Sequence, residues 1–113
     1  MRYTYKDTRT QKLFENDNDF ARKYGHPACK RRDRRLSEIA SYDNLAELLR
    51  LGQNGPGRWH VLDNRDGGKD TGKISGDLTG RYRILLSATN DPYGEVVEVE
   101  ICEIKDTHKR KKG

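Results

Sequence analysis

The chain ends with a carboxylate and an imidazole two residues apart, Asp106 and His108, at the close of an alternating apolar segment, Val97-x-Val99-x-Ile101. A strand would hold such a pair firmly at its end while leaving it open to solvent. There, an acid and a base could move protons to and from a phosphodiester, as RNA cleavage requires. A basic run, Lys109-Arg110-Lys111-Lys112, follows directly, and would attract a polyanion to the same place.

The elements that must position this pair can be read from the rest of the chain. With 113 residues there is room for one domain, 1–108, and a short basic tail, 109–113. Leu, Ile, Val and Phe number 21 of 113, a little below the ~20% at which disorder becomes a question. The net charge of +5 is moderate, and the apolar residues are grouped periodically, so a small folded domain is expected. Removing the four charges of the tail leaves 5 − 4 = +1. The positive charge is therefore concentrated, in the tail and in Lys30-Arg31-Arg32-Asp33-Arg34-Arg35, a pattern suited to nucleic acid or an acidic protein.

The two cysteines, Cys29 and Cys102, have no CxxC or Cys/His spacing, so no metal or cofactor is expected, and a reducing compartment is. No apolar run approaches the length of a membrane span or signal peptide, which predicts a cytoplasmic protein.

Tyr3 and Tyr5 alternate with polar residues and predict a first strand. Leu13, Phe14, Phe20, Ala21 and Tyr24 predict a helix ended by Gly25, and His26-Pro27 opens a second helix with Ala28, Cys29, Leu36, Ile39 and Ala40 buried. Leu45, Leu48 and Leu49 predict a short further turn or helix. Strands are predicted at Trp59–Leu62, Gly72–Leu78, around Tyr82-Ile84-Leu86, and over Val97–Ile101. Thr79-Gly80 and Asn90–Gly94 are turns, and Asp63 to Thr71 is a polar loop. Ile104 is out of phase with Val97, Val99 and Ile101, which predicts a bulge or a twist. The expected fold is α+β, two N-terminal helices packed on one face of a mostly antiparallel sheet of four or five strands.

Four segments in this order resemble one family. They are Lys23–Ala28 with the basic helix and Leu36–Ile39, Gly57–Leu62, Gly72–Ile84, and Val99–His108. Together they resemble the HigB-like plasmid-maintenance killer proteins of the RelE/ParE toxin superfamily, and the likeness covers nearly the whole chain. It implies a toxin of a type II toxin–antitoxin system, a ribosome-dependent mRNA endoribonuclease. The implied partners are a cognate helix-turn-helix antitoxin and the ribosome with its mRNA and rRNA.

On this resemblance His108 and Asp106 stand at the terminal acid/base pair, and Arg83 at the strand arginine that grips phosphate. His60 stands at a recurrent position that could orient the site. Lys69 or Arg65 would supply a loop contact to phosphate. Arg81, Lys30, Arg31, Arg34, Lys109 and Arg110 would bind RNA. Two departures stand out: Thr107 replaces a family aromatic that could stack on a base, and the loop from Asp63 to Thr71 is longer than usual. Two alternatives remain open, a ParE-like gyrase inhibitor without nuclease chemistry and an inactive RNA-binding relative.

Overall fold

The computed structural model describes residues 1–88 and 96–107. His108, Lys109 and Arg110 and the turn expected at Asn90–Gly94 lie outside the described residues. The described chain forms an α+β fold: β1 (Arg2–Tyr5), α1 (Thr8–Glu15), α2 (Asp17–Tyr24), α3 (His26–Ser41), α4 (Leu45–Leu49), β2 (His60–Val61), α5 (Asn64–Gly67), β3 (Ile74–Asp77), β4 (Tyr82–Ala88) and β5 (Glu98–Asp106). Short 3-10 turns occupy Gly52–Asn54 and Gly68–Asp70.

The five strands lie in the order β1-β5-β4-β3-β2. The pairs β2–β3, β3–β4 and β4–β5 are antiparallel, but β1 pairs parallel with β5, so the sheet is mixed. The four N-terminal helices carry the chain from β1 across one face. Phe14, Phe20, Ala28, Ile39, Leu45 and Leu48 from these helices pack on Ile74, Ile84, Leu86, Val99 and Ile101 of the sheet to form the main core.

The single helix expected before Gly25 is two helices. Asn16 has extended backbone (φ −111°, ψ 105°), ends α1 and caps α2, its side chain accepting from the Asp19 amide at 3.0 Å. Asn competes well for such amides at a helix start, and here it wins over helix continuation. Asp7 and Asn44 cap α1 and α4 in the same way, at 2.8 and 2.9 Å. Gly25 closes α2 with its N–H on Ala21 O at 2.7 Å and starts α3, at φ +97°, a conformation that disfavours any Cβ.

α3 buries a different stripe from the one expected. Ala28, Arg32, Arg35 and Ile39 face inward, while Ala40 is exposed and Cys29 and Leu36 are half-buried. Spacings of four, three and four residues place these positions on one helix face, and two arginines of the basic run fall on it. Arg32 survives burial because Asp17 and Asp33 pair with it and its guanidinium stacks 4.9 Å from the Phe20 ring centroid.

The bulge expected near Ile104 is present. Leu85 pairs with Glu103 and Leu86 with Ile101, so Cys102 has no partner across the strand. Val99 and Ile101 face the helices before it, and Ile104 packs on the same core after it. Val97, expected on the buried face, is 43% exposed just ahead of β5. On the other face of the sheet, among the described residues, Leu62, Leu85 and Cys102 make a small apolar cluster, leaving room for charged side chains.

The segment read as a loop, 63–71, folds into α5 and a 3-10 turn whose Asp70 is only 2% exposed. Trp59 is core, 3% exposed, and lies over Gly76, where a Cβ would fall 2.3 Å from Cζ3 of the indole. Only glycine lets strand and ring approach so closely.

Candidate nucleic-acid interface on the outer sheet face

Cross-strand register assembles the site. Paired residues share a face of a sheet, and β3–β4–β5 pairing aligns Asp77, Arg83 and Lys105 in one row. Lys105 joins this row only because the bulge at Cys102 resets the alternation of β5. His60 enters from β2, opposite Ser75. With Arg58 and Thr107, these residues wall an open cavity of about 320 Å³ on the face that the helices leave uncovered.

Each side chain is held by the fold. The His60 Nδ1 lies 2.8 Å from Arg58 O, so in the neutral ring Nδ1–H donates there and Nε2 is left as the acceptor. Arg58 itself sits at φ +52°, an unusual conformation for a residue with a Cβ, and this turn places both its carbonyl under His60 and its guanidinium at the cavity. Arg83 donates through Nη1 to Thr79 O at 2.7 Å and to Tyr82 O at 3.1 Å, and its Nε pairs with Asp77 at 3.1 Å. Asp77 also faces Arg58 at 3.6 Å.

Lys105 rests on a buried carboxylate. Its Nζ is 2.8 Å from Asp70 Oδ2, while Lys73 Nζ is 3.0 Å from Asp70 Oδ1. These two hydrogen bonds, Lys105 first, outweigh burial and hold the Asp70 carboxyl below the ordinary carboxylate range. Lys73 is pushed up in return by its bond to Asp70.

Several expected site residues lie elsewhere. Asp106 is opposite Tyr82, on the helix-facing side, and Arg81 grips it with Nε at 3.0 Å from both carboxylate oxygens and Nη2 at 2.7 Å from Oδ2. The structure thus joins Asp106 to Arg81 and not to Arg83 or His60. Thr107 continues that anchor, its N and Oγ1 both donating to Arg81 O. Arg65, on α5, has a 91% exposed side chain 3.9 Å from Asp63. Lys69 is exposed on the 3-10 turn; neither it nor Arg65 lines the cavity. Lys30 is exposed on α3. Arg31 and Arg34 do approach the site, since they wall a neighbouring cavity together with Arg58, Asp77 and Arg83.

Sequence reasoning missed Lys105, Arg58, Asp77 and Asp70. Lys105 had a usable signal, because the bulge predicted at Ile104 implies that Lys105 changes face. A larger groove of about 750 Å³ lies between α1 and α2, but its walls bring no histidine and no cross-strand arginine. Among the described residues no group of three His, Cys, Asp or Glu side chains could hold a metal ion. No described helix is long and apolar enough to cross a membrane.

One face of the sheet is packed by the N-terminal helices and the other carries the cationic row. The chain is similar to a solved YoeB/ParE toxin from Agrobacterium tumefaciens, with a TM-score of 0.56 over 94% of this chain and 98% of that one. Sequence identity is 13%, so the likeness is one of fold. No protein-family model and no curated protein matches the sequence.

Proposed function

We propose that the chain is the toxin of a type II toxin–antitoxin pair and acts as a ribosome-dependent mRNA endoribonuclease of the HigB-like kind. The observation that carries this reading is the cavity in which His60, Arg83, Lys105 and Arg58 converge. The likeness in fold to a protein named as a YoeB/ParE toxin supports it.

In this reading His60 Nε2 takes the proton of a ribose 2′-OH. The 2′-oxygen then attacks the adjacent phosphorus, the P–O2′ bond forms and the P–O5′ bond breaks. A proton donor delivers to the leaving 5′-oxygen, giving a 2′,3′-cyclic phosphate and a 5′-hydroxyl. Arg83, Arg58 and Lys105 neutralise the charge that grows on the pentacoordinate phosphorus. Lys105 is held in place by its ion pair with Asp70 beneath it.

His108 is the proposed donor, and Asp106 with Arg81 fixes the end of β5 from which that residue follows. Lys69, Arg65 and Lys30 extend the basic surface outside the cavity, and Lys109 and Arg110 bind rRNA. The cognate partner is a helix-turn-helix antitoxin, and the compartment is the cytoplasm.

A gyrase-inhibiting role without nuclease chemistry is the second reading, and one observation favours it. The Arg83 guanidinium is already committed to Asp77, Thr79 and Tyr82 oxygens, as a purely structural arginine would be.

The test is inducible expression in a bacterial host of wild type, His60→Ala, His108→Ala and Arg83→Ala, with growth followed and mRNA 5′ ends mapped. Growth arrest with cuts inside translated codons is expected. Loss of a general acid or base should lower cleavage about 10²–10⁴-fold. Full cleavage by all three folded variants would sink the mechanism. Arrest with intact mRNA and inhibited supercoiling would establish the second reading.

A further inference from the structure

A second cavity, of about 350 Å³, opens between α3 and the β3–β4 turn. Arg31, Arg34, Arg35, Arg58 and Arg83 contribute to its walls, against a single carboxylate, Asp77. Five guanidinium groups at one cavity repel one another and together attract anions.

Arg35 makes this more than a charged surface. Its side chain is 8% exposed, and its Nε and Nη1 have no hydrogen-bond partner among the described residues. The carboxylate of Glu38 reaches only Nη2, at 3.5 Å, and Glu38 Oε1 is taken by the Trp59 indole N–H at 2.8 Å. Two idle donors on a buried guanidinium are costly; both atoms are closed off from solvent, and a small turn of the side chain would bring them onto an anion in the cavity that Arg35 lines. Its planar fork fits the oxygens of a phosphate group.

We infer that this cavity is a phosphate-binding subsite, with Arg35 at its inner wall and Arg31 and Arg34 at its rim. It takes a phosphodiester of the same RNA strand that lies across Arg83. Continuity selects that strand: Arg58, Asp77 and Arg83 wall both this cavity and the one beside His60. Asp77, paired with Arg83 and Arg58, separates the two phosphate positions and gives each a defined place. The RNA part of this inference rests on the nuclease reading; the phosphate part does not.

The test follows the arginine Nε–Hε signals by NMR during titration of the full chain with inorganic phosphate, and then with a single-stranded RNA hexamer. Phosphate is expected to shift the Arg35, Arg31 and Arg34 signals saturably, with an affinity on the order of 1 mM. The combined Arg31→Ala, Arg34→Ala variant, altered at exposed helix positions, should bind phosphate at least about tenfold more weakly. Arg35→Lys, if folded, should do the same. The hexamer should shift Arg35 and Arg83 together.

An unmoved Arg35 signal would overturn the subsite, as would a non-saturating drift shared by every exposed arginine. A hexamer that moves Arg83 alone, or a glutamate-rich peptide that moves Arg35 where RNA does not, would overturn the RNA assignment. Translation-dependent cleavage is measured on the same protein. Cleavage with a silent Arg35 sinks only the subsite, whereas phosphate binding without cleavage sinks only the nuclease.

Discussion

Asp70 is the residue whose replacement most directly tests how the cationic row is held. The carboxylate is 2% exposed and receives Lys105 at 2.8 Å and Lys73 at 3.0 Å. Asp70→Asn keeps the shape and removes the charge. Two hydrogen bonds to a charged group contribute about 1.5–3 kcal/mol each when fully shielded from water. Both lysine side chains are about a third exposed, 37% and 33%, so each can regain water once the charge is gone. The discounted loss is about 2 kcal/mol at neutral pH, or roughly 10 °C in Tm for a domain of this size.

The pH dependence separates charge from packing. The native Asp70 carboxyl lies below its unfolded value of about 3.9, because the lysine bonds favour the ionised form. Its contribution is therefore complete above that unfolded value and disappears as pH falls through the lower native one. Urea denaturation at pH 7 should separate wild type from Asp70→Asn by about 2 kcal/mol, and the curves should converge once pH has fallen through the lowered native value. Lys73 supplies the opposite edge: its native pKa is raised, so its share is present below about 10.4 and lost as pH rises through the native value. A difference under about 0.5 kcal/mol at pH 7, or one that persists unchanged in acid, would refute the reasoning.

Two further outcomes are expected. Gly76→Ala would put a methyl within 2.3–2.6 Å of three Trp59 ring carbons, displacing an indole whose N–H is bonded to Glu38; a loss of about 3 kcal/mol in thermal unfolding is expected, and a wild-type Tm would show that β3 shifts freely. Of the six tyrosines, Tyr5 and Tyr24 should ionise last: burial foremost pushes both up to about 12, so absorbance titration of the native protein should show a late step, and a single step near pH 10 would contradict their packing.

Much of the fold was legible because its elements bury one face with a clear period. The alternation of Tyr82, Ile84 and Leu86 against Arg83 and Leu85 gave the two faces of β4, whereas Arg81, expected with Arg83 and Leu85, lies ahead of the strand and pairs with Asp106; one phase error at Ile104 pointed to the bulge. The break at Asn16 was not legible from apolar spacing, since Leu13, Phe14 and Phe20 keep a helical period through it; capping chemistry decides there. Nor did composition reveal Arg32 and Arg35 as inward-facing, because a basic run reads as a solvated face until Asp17, Phe20 and Glu38 are seen beside it. The parallel pairing of β1 with β5 depends on contacts almost a hundred residues apart, such as Arg2 with Glu98, which no local pattern encodes.

The candidate site was legible in its types and less so in its grouping. Arg83 and His60 line one cavity, but Asp106 belongs to Arg81, and the pairing decides this more than sequence proximity does. The same distinction sorts the rest of the positive charge. Arg32 and Arg81 are each paired with carboxylates and stacked on an adjacent ring, and work for the fold, although Nη1 of Arg32 has no partner among the described residues. Arg58 and Arg83 share the single carboxylate of Asp77, and Arg35 keeps two donors unfilled, so around the two cavities cation exceeds anion. A net charge of +5 conceals this imbalance, since paired and unpaired arginines count alike in the sum. Arg35's two unpartnered donors are buried beside a cavity walled by four further arginines, and this local excess of cation is what the proposed phosphodiester strand would neutralise.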